Sequence, residues 1–270
     1  MFLYANGCSF TWGDELANIV IPEKCTDEQN GRWKKILENR PPQHDNYWAG
    51  SVVMSDNEEY RLKYSWPGQL AELLNCDGFD NDAFPGGSNE RMLRTTIDWV
   101  LYNKDRYPDL FVAIGWTYHS RFELWNEKYK CYKQLNPIFG SITDIDKDEK
   151  VFIELYWRYC YNDYERISNF LYCVTTLQTF LKYHKIDFLF FNAIQDLHDL
   201  KEYNLSIFGH LLNEIDRDHY FLLENGTFNT WAEKKKYLRG PGYHPLEEGH
   251  AGWAKVLYKY INNNELISDD

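Results

Sequence analysis

Asp109-Leu110-Phe111-Val112-Ala113-Ile114, closed off by Pro108 and Gly115, is apolar at every position after the first. Such a run offers no polar face to water, so it suits a central strand of a parallel sheet, covered on both sides. Outward from it, strand and helix patterns alternate in both directions. Upstream, Phe79 to Phe84 reads as a short strand ending at Pro85-Gly86-Gly87. Ser88 is a good N-cap, and Met92, Leu93, Ile97, Val100 and Leu101 follow it at helical spacing. Earlier still, Pro67 opens a helix with Leu70, Leu73 and Leu74 on its stripe. The chain begins with a buried strand, Phe2-Leu3-Tyr4-Ala5, which breaks at Asn6-Gly7. Downstream, one long helical stretch over about 151–183 carries Phe170, Val174, Leu177 and Leu181 on a stripe. Asp187 to Asn192 is a further buried strand, and Pro245 to Tyr260 closes the chain as a helix. This alternation implies right-handed crossovers and a mostly parallel sheet with helices on both faces. The polar stretch from about 18 to 63, punctuated by Pro22, Gly31, Pro41, Pro42 and Gly50, is too long for a connection and reads as an insertion.

With 270 residues, 44% hydrophobic and 26% charged, the chain fits one large α/β domain or at most two small ones. Its core needs no disulfide or metal staples. An aromatic share of 17% is enough to line a groove for sugars as well as to build a core. The net charge of −12 repels phosphate backbones and anionic lipid, which argues against nucleic acid or a membrane surface as partner. Six cysteines stand at 8, 25, 76, 131, 160 and 173 with no CxxC pair, and read as reduced, mostly buried thiols. No basic leader precedes the first strand and no apolar run approaches ~18 residues, so the expected compartment is cytoplasmic.

In an open parallel sheet the site lies beyond the carboxyl ends of the strands. Three glycine-marked polar segments fall there: 6–14, 85–91 and 115–121. In the first, Ser9 follows the opening strand between Gly7 and Gly13, where a sharp turn exposes a hydroxyl and aims its own N–H into the cleft; the bland alternative is a helix cap. In the second, the bare backbone of Gly86 and Gly87 either approaches a ligand or makes a plain turn. Near the end, His244 on the loop before the last helix is placed to act as general base to a serine at the sheet end, or is a solvent-exposed loop histidine.

Together these segments resemble the SGNH (GDSL-type) hydrolase superfamily, in particular a divergent form met in bacteriophage genomes. Block one of that family matches Gly7-Cys8-Ser9-Phe10-Thr11-Trp12-Gly13, block two Gly86-Gly87-Ser88-Asn89, block three Gly115-Trp116-Thr117-Tyr118, and block five Pro241-Gly242-Tyr243-His244. The blocks occur in family order over nearly the whole chain. The resemblance implies one flavodoxin-like three-layer α/β/α sandwich domain over 1–270, with insertions at about 18–63 and 121–150. It further implies a carboxylic ester hydrolase that removes a small acyl group from a carbohydrate or similar polar small molecule. Ser9 would be the nucleophile, His244 the base, and the N–H groups of Ser9 and Gly87 two arms of an oxyanion hole.

Three positions depart from the family pattern. Cys8 replaces the aspartate before the nucleophile, its side chain expected to point away from that of Ser9. Thr117 stands where the family has its oxyanion asparagine, leaving that arm weak or assigned to Asn89. Pro241 occupies the place of the triad acid. A Ser–His dyad, a carboxylate from elsewhere such as Glu233 or Asp218, or a backbone carbonyl on the imidazole all remain open. Trp12 and Trp116 are candidates for a stacking wall or for packing under the loops, and Arg121 for binding an acidic substrate group or pairing with Glu123. No cofactor is expected, because Gly86-Gly87 lacks a nucleotide-binding pattern, and no metal, because His244, His250, Glu247 and Glu248 have no second ligand cluster. Lys234-Lys235-Lys236 reads as a solvated face. The alternatives to a hydrolase are an O-acyltransferase using the same site, and a non-catalytic binding or virion module on the same fold.

Overall fold

The computed structural model describes residues 1–16, 18–20, 47–48, 54–55, 58–127, 130–135, 147–240 and 242–267. Its strands are β1 (Phe2–Gly7), β2 (Asn18–Val20), β3 (Tyr47–Trp48), β4 (Met54–Ser55), β5 (Gly78–Asn81), β6 (Leu110–Trp116), β7 (Phe122–Asn126), β8 (Cys131–Leu135), β9 (Asp187–Asn192) and β10 (Tyr220–Phe221). A fully parallel five-stranded sheet runs in the order β10-β9-β6-β1-β5. The apolar run at 110–116 is its central strand, buried at every residue.

The layers follow from one dipeptide on β9. Neighbouring strand residues point to opposite faces, and Phe190 and Phe191 do so here. The Phe191 ring meets Trp66 of the helix Trp66–Leu73 and Trp253 of the helix Glu247–Asn263. The Phe190 ring meets Trp116, which meets Phe170 of the helix Asp163–Tyr183. That last helix packs beside the helix Asn89–Asn103. The result is the α/β/α sandwich expected, with helices on both faces of the sheet.

The strand order locates the cleft. Counted by appearance in the chain, the five strands lie 2-1-3-4-5 across the sheet. The connection leaving β1 goes to one side and that leaving β6 to the other, so a crevice opens beyond their carboxyl ends.

Three local expectations need correction. The long helical stretch is two helices, Lys147–Tyr159 and Asp163–Tyr183, because Asn162 starts the second afresh by accepting the Glu165 N–H at 3.2 Å. The second strand of the sheet stops at Asn81, where Arg91 takes hold of both the carbonyl and the carboxylate of Asp82. The thiols are not mostly buried: Cys8 and Cys173 are, Cys76 is half-buried, and Cys131 and Cys160 are exposed, all five free. Cys25 lies outside the described residues. Within the first proposed insertion, β2, β3 and β4 form a small antiparallel sheet ahead of the helix Glu58–Tyr64, and in the second β7 and β8 form a hairpin. Among the described residues no helix is long and apolar enough to cross a membrane.

Candidate active site

β1 ends on Gly7, which pairs with Gly115, one residue before the end of β6. A Cβ on Gly7 would stand 2.1 Å from Thr11 Oγ1, and one on Gly115 2.7 Å from the same atom. The two bare positions make the space in which Thr11 sits, so the four-residue helix Ser9–Trp12 settles directly on the end of the sheet. Cys8 turns the chain into that helix from an extended conformation and buries its thiol in the core. Gly13 ends it in the left-handed region at φ 83°, its N–H on the Ser9 carbonyl. Arg61 holds the helix from the insertion side, donating to the Trp12 carbonyl at 2.8 Å with its guanidinium 3.4 Å from the Trp12 ring centre. Trp12 therefore packs under Arg61 and is not among the residues lining the cleft.

His244 arrives from the other end of the chain. Its loop is closed by a bridge between Arg239 and Pro245, by the Gly240 N–H on the His244 carbonyl at 3.0 Å, and by Arg239 on the Tyr243 carbonyl at 2.8 Å. The imidazole lies against the Phe10 ring, and its Nε2 is 2.8 Å from Ser9 Oγ. Serine and histidine, 235 positions apart, are in hydrogen-bond contact.

A carboxylate completes the arrangement, and it is one the sequence reading missed. Glu15 is 1% exposed and stands two residues after Gly13, with φ at 70°. Its Oε1 accepts the Gly242 N–H at 2.5 Å and its Oε2 the His244 N–H at 3.0 Å. The same Oε2 lies 3.3 Å from His244 Nδ1, at ion-pair distance though outside hydrogen-bond alignment. A left-handed backbone at a non-glycine residue is costly and persists only where its surroundings hold it. Here two backbone N–H groups hold the side chain, and Tyr243, beside the histidine, is likewise left-handed at φ 66°. Asp14 is also near, but its Oδ2 is 4.0 Å from Nε2, the nitrogen that faces Ser9, and its side chain is partly exposed. Glu233 and Asp218 are exposed and make no hydrogen bond or ion pair with the imidazole, and Pro241 lies outside the described residues.

The cleft over Ser9 and His244 has a volume of about 440 Å³. Pro85 and Gly86 form part of its wall, Tyr118 and Arg121 another part. Five residues singled out in the sequence find their places here. The Gly87 N–H is turned away and donates to the Phe84 carbonyl at 2.8 Å, closing a turn in which Gly86 has φ 77°; Gly86, not Gly87, faces the cleft. Asn89 does not reach the cleft: its Oδ1 accepts the Thr117 N–H at 3.0 Å and its Nδ2 donates to the Tyr118 carbonyl at 3.3 Å, so it positions the loop after β6. Thr117 is buried with its Oγ1 accepting from Arg121 at 2.8 Å. Trp116 is fully buried among Phe170 and Phe190 and is core, not a stacking wall. Arg121 does not pair with Glu123, which is held on both oxygens by Arg94.

His250 is structural. Its Nδ1 accepts the Trp66 N–H at 3.0 Å, tying the last helix to the helix Trp66–Leu73. Burial, and then the neighbouring His244, push its pKa down to about 3, so it is neutral. Among the described residues no group of three or more His, Cys, Asp or Glu is arranged to hold a metal ion.

The solved structures that this chain is similar to include psychrotrophic esterase EstA from Pseudoalteromonas sp., at 9% identity and a TM-score of 0.45, covering 97% of each chain. A second is a lipolytic protein of the G-D-S-L family from Desulfitobacterium hafniense, at 11% identity and 0.44, covering 96% of this chain and 98% of that one. A third is a carbohydrate esterase whose active site displays divergent catalytic and non-catalytic binding functions, at 13% and 0.43, with 97% of this chain covering 64% of that one. No curated protein sequence matches the chain. A family model does match, over residues 53–269, and the chain belongs to that family, a family of unknown function (DUF6071).

Proposed function

We propose that the protein is a serine ester hydrolase of the SGNH type that removes a small acyl group from a carbohydrate or similar polar small molecule. The observation that carries this reading is the contact chain Ser9 Oγ–His244 Nε2 at 2.8 Å and His244 Nδ1–Glu15 Oε2 at 3.3 Å, at the floor of an open cleft. Nε2 takes the hydroxyl proton as Ser9 Oγ attacks the ester carbonyl carbon. Glu15 on the far nitrogen fixes the tautomer that leaves Nε2 free to accept, and stabilises the imidazolium that forms. The carbonyl oxygen, now an oxyanion, is received by the backbone N–H groups of Ser9 and Gly86, each worth about 2.7–4 kcal/mol in the transition state. Collapse breaks the ester bond, and the alcohol leaves with the proton from Nε2. Water, deprotonated by the same nitrogen, then hydrolyses the Ser9 ester and regenerates the site.

The polar-substrate part of the reading rests on Tyr118 and Tyr243, which line the cleft where a sugar ring would lie. A fluorophosphonate probe tests the catalytic part: labelling should map to Ser9 and vanish in Ser9→Ala, with 4-nitrophenyl acetate turnover lost alongside. Absence of both labelling and turnover in folded protein overturns it. Product analysis with and without an acceptor sugar separates hydrolysis from acyl transfer.

A further inference from the structure

Arg121 is 5% exposed, lines the cleft that holds Ser9 and His244, and has no carboxylate within 4 Å among the described residues. This is unusual for a buried charge, which is ordinarily paired because taking it out of water is expensive. The neighbourhood explains why no acid among the described residues answers it. Glu123, the nearest acid in sequence, is committed to Arg94 and Gln134. Glu90 is committed to Arg166, a buried arginine that also donates to the carbonyls of His119 and Arg121. Asp14, the carboxylate of the cleft wall, lies toward His244. Among the described residues the Arg121 side chain makes one hydrogen bond, from Nη1 to Thr117 Oγ1 at 2.8 Å. Its Nε is buried with no hydrogen-bond partner among the described residues.

The guanidinium is nonetheless held in place. Thr117 Oγ1 fixes one end, the Tyr118 ring lies 5.5 Å away, and Arg166 anchors its carbonyl. A fixed, desolvated, under-satisfied cation in an open cleft is poised for an anion brought from outside. We propose that Arg121 is a specificity determinant that reads a carboxylate on the ester substrate, so the preferred substrates are esters carrying an anionic group near the scissile bond. The proposal rests on the esterase reading for its chemistry but not for its binding site.

Two matched ester pairs test it, one for each half of the substrate. 4-Acetoxybenzoate against 4-acetoxybenzamide places the carboxylate in the alcohol; mono-4-nitrophenyl glutarate against 4-nitrophenyl pentanoate places it in the acyl group. In one pair the wild-type protein should favour the charged member in kcat/KM by on the order of 10-fold to 100-fold, the range of one hydrogen bond to a charged group. Arg121→Gln should bring that ratio to near one, and Arg121→Lys, with charge but no planar fork, should keep part of it. Calorimetry of Ser9→Ala with 4-acetoxybenzoate and 4-acetoxybenzamide reads the same preference without turnover. Charge-selective binding lost in Ser9→Ala/Arg121→Gln, in a protein that cleaves no ester, would keep the anion site and sink the esterase reading. No preference for the charged member in either pair or in binding overturns the proposal, whether or not the arginine variants fold. An unchanged ratio in a folded Arg121→Gln protein also overturns it.

Discussion

Replacing Glu15 with glutamine removes a charge from the proposed triad while keeping the size and one oxygen of the side chain. The carboxylate oxygen lies 3.3 Å from His244 Nδ1 and the residue is 1% exposed, so solvent screens it weakly. At an effective dielectric of about 20, a unit charge at that distance stabilises the imidazolium by about 5 kcal/mol. One decade in rate corresponds to about 1.36 kcal/mol, so the loss should approach 10⁴ in kcat. That agrees with the roughly 10⁴ cost of neutralising the orienting acid in the Ser-His-Asp template. A second effect concerns folding. The two oxygens of Glu15 each accept a backbone N–H, from Gly242 and His244, and an amide can serve only one. An unsatisfied buried group costs about 1–3 kcal/mol. Stability should therefore fall modestly while the rate collapses, and the two are measured separately. Initial rates with 4-nitrophenyl acetate give kcat, and thermal unfolding followed by circular dichroism gives stability. Glu233→Ala and Asp218→Ala, at exposed positions, should stay within about twofold of the wild-type rate. The reasoning is refuted if folded Glu15→Gln protein keeps more than about a tenth of the rate, since the Coulomb term would then be more than about threefold too large.

Asn89→Ala should slow turnover without removing any group from the cleft, because it frees the Thr117 N–H and the loop bearing Arg121; rates and melting curves together would show a loss of about 1–3 kcal/mol in stability. Gly115→Ala should impair labelling at Ser9, since the new methyl meets Thr11 Oγ1 at 2.7 Å; adding Thr11→Ala should restore part of it, and a failure to do so would put the strain on Phe191 at 3.1 Å instead. His250 has a folded pKa held near 3 against an ordinary 6.5. The unfolded chain therefore binds the extra proton between those values, and stability that is full above pH 6.5 falls as pH drops toward 3, by at most about 1.4 kcal/mol per pH unit. Urea melts of wild type and His250→Asn, whose amide oxygen can still accept the Trp66 N–H, should differ in slope across that window and run parallel above it.

Much of this molecule is legible in its sequence because burial on both faces leaves a plain mark. The runs at 110–114 and 188–191 are continuous and apolar for a reason that tertiary structure does not alter, and both lie in strands. Ser88 as a cap and Gly7 at the strand end could be read from local chemistry alone. The direction of an N–H could not. Gly86 and Gly87 are chemically identical, and only the turn closed on the Phe84 carbonyl decides which of them faces the cleft. For a related reason the tryptophans left two readings open, of which packing is the one realised: Trp116 is the last residue of a fully buried strand, so it follows the core, whereas Tyr118 two residues later lines the cleft. The helix break at 160–162 was hidden because Asn162 acts through its side chain, which helical periodicity does not register.

The missing acid has a physical explanation that reaches beyond one residue. A triad requires a carboxylate on Nδ1 but sets no condition on where in the chain it comes from. When the acid sits on the histidine's own loop, it is sought a few positions upstream, and here that place holds Pro241. Glu15 reaches the same nitrogen from the nucleophile's side, six positions after Ser9 and past a left-handed glycine. The sequence did carry a sign of it: two consecutive acids directly after a glycine that ends a helix at the carboxyl end of the sheet, ahead of Leu16, which is fully buried. A carboxylate next to a core leucine, at the rim of a cleft, has to be paid for by specific donors, and Gly242 and His244 supply them. This arrangement makes the acid do two jobs. In the proposed mechanism it stabilises the imidazolium, and by accepting two N–H groups of the 242–244 loop it also docks that loop onto the Ser9 turn. A triad built this way couples catalysis to loop docking, so histidine and acid should be lost together when the 242–244 segment detaches, instead of one at a time.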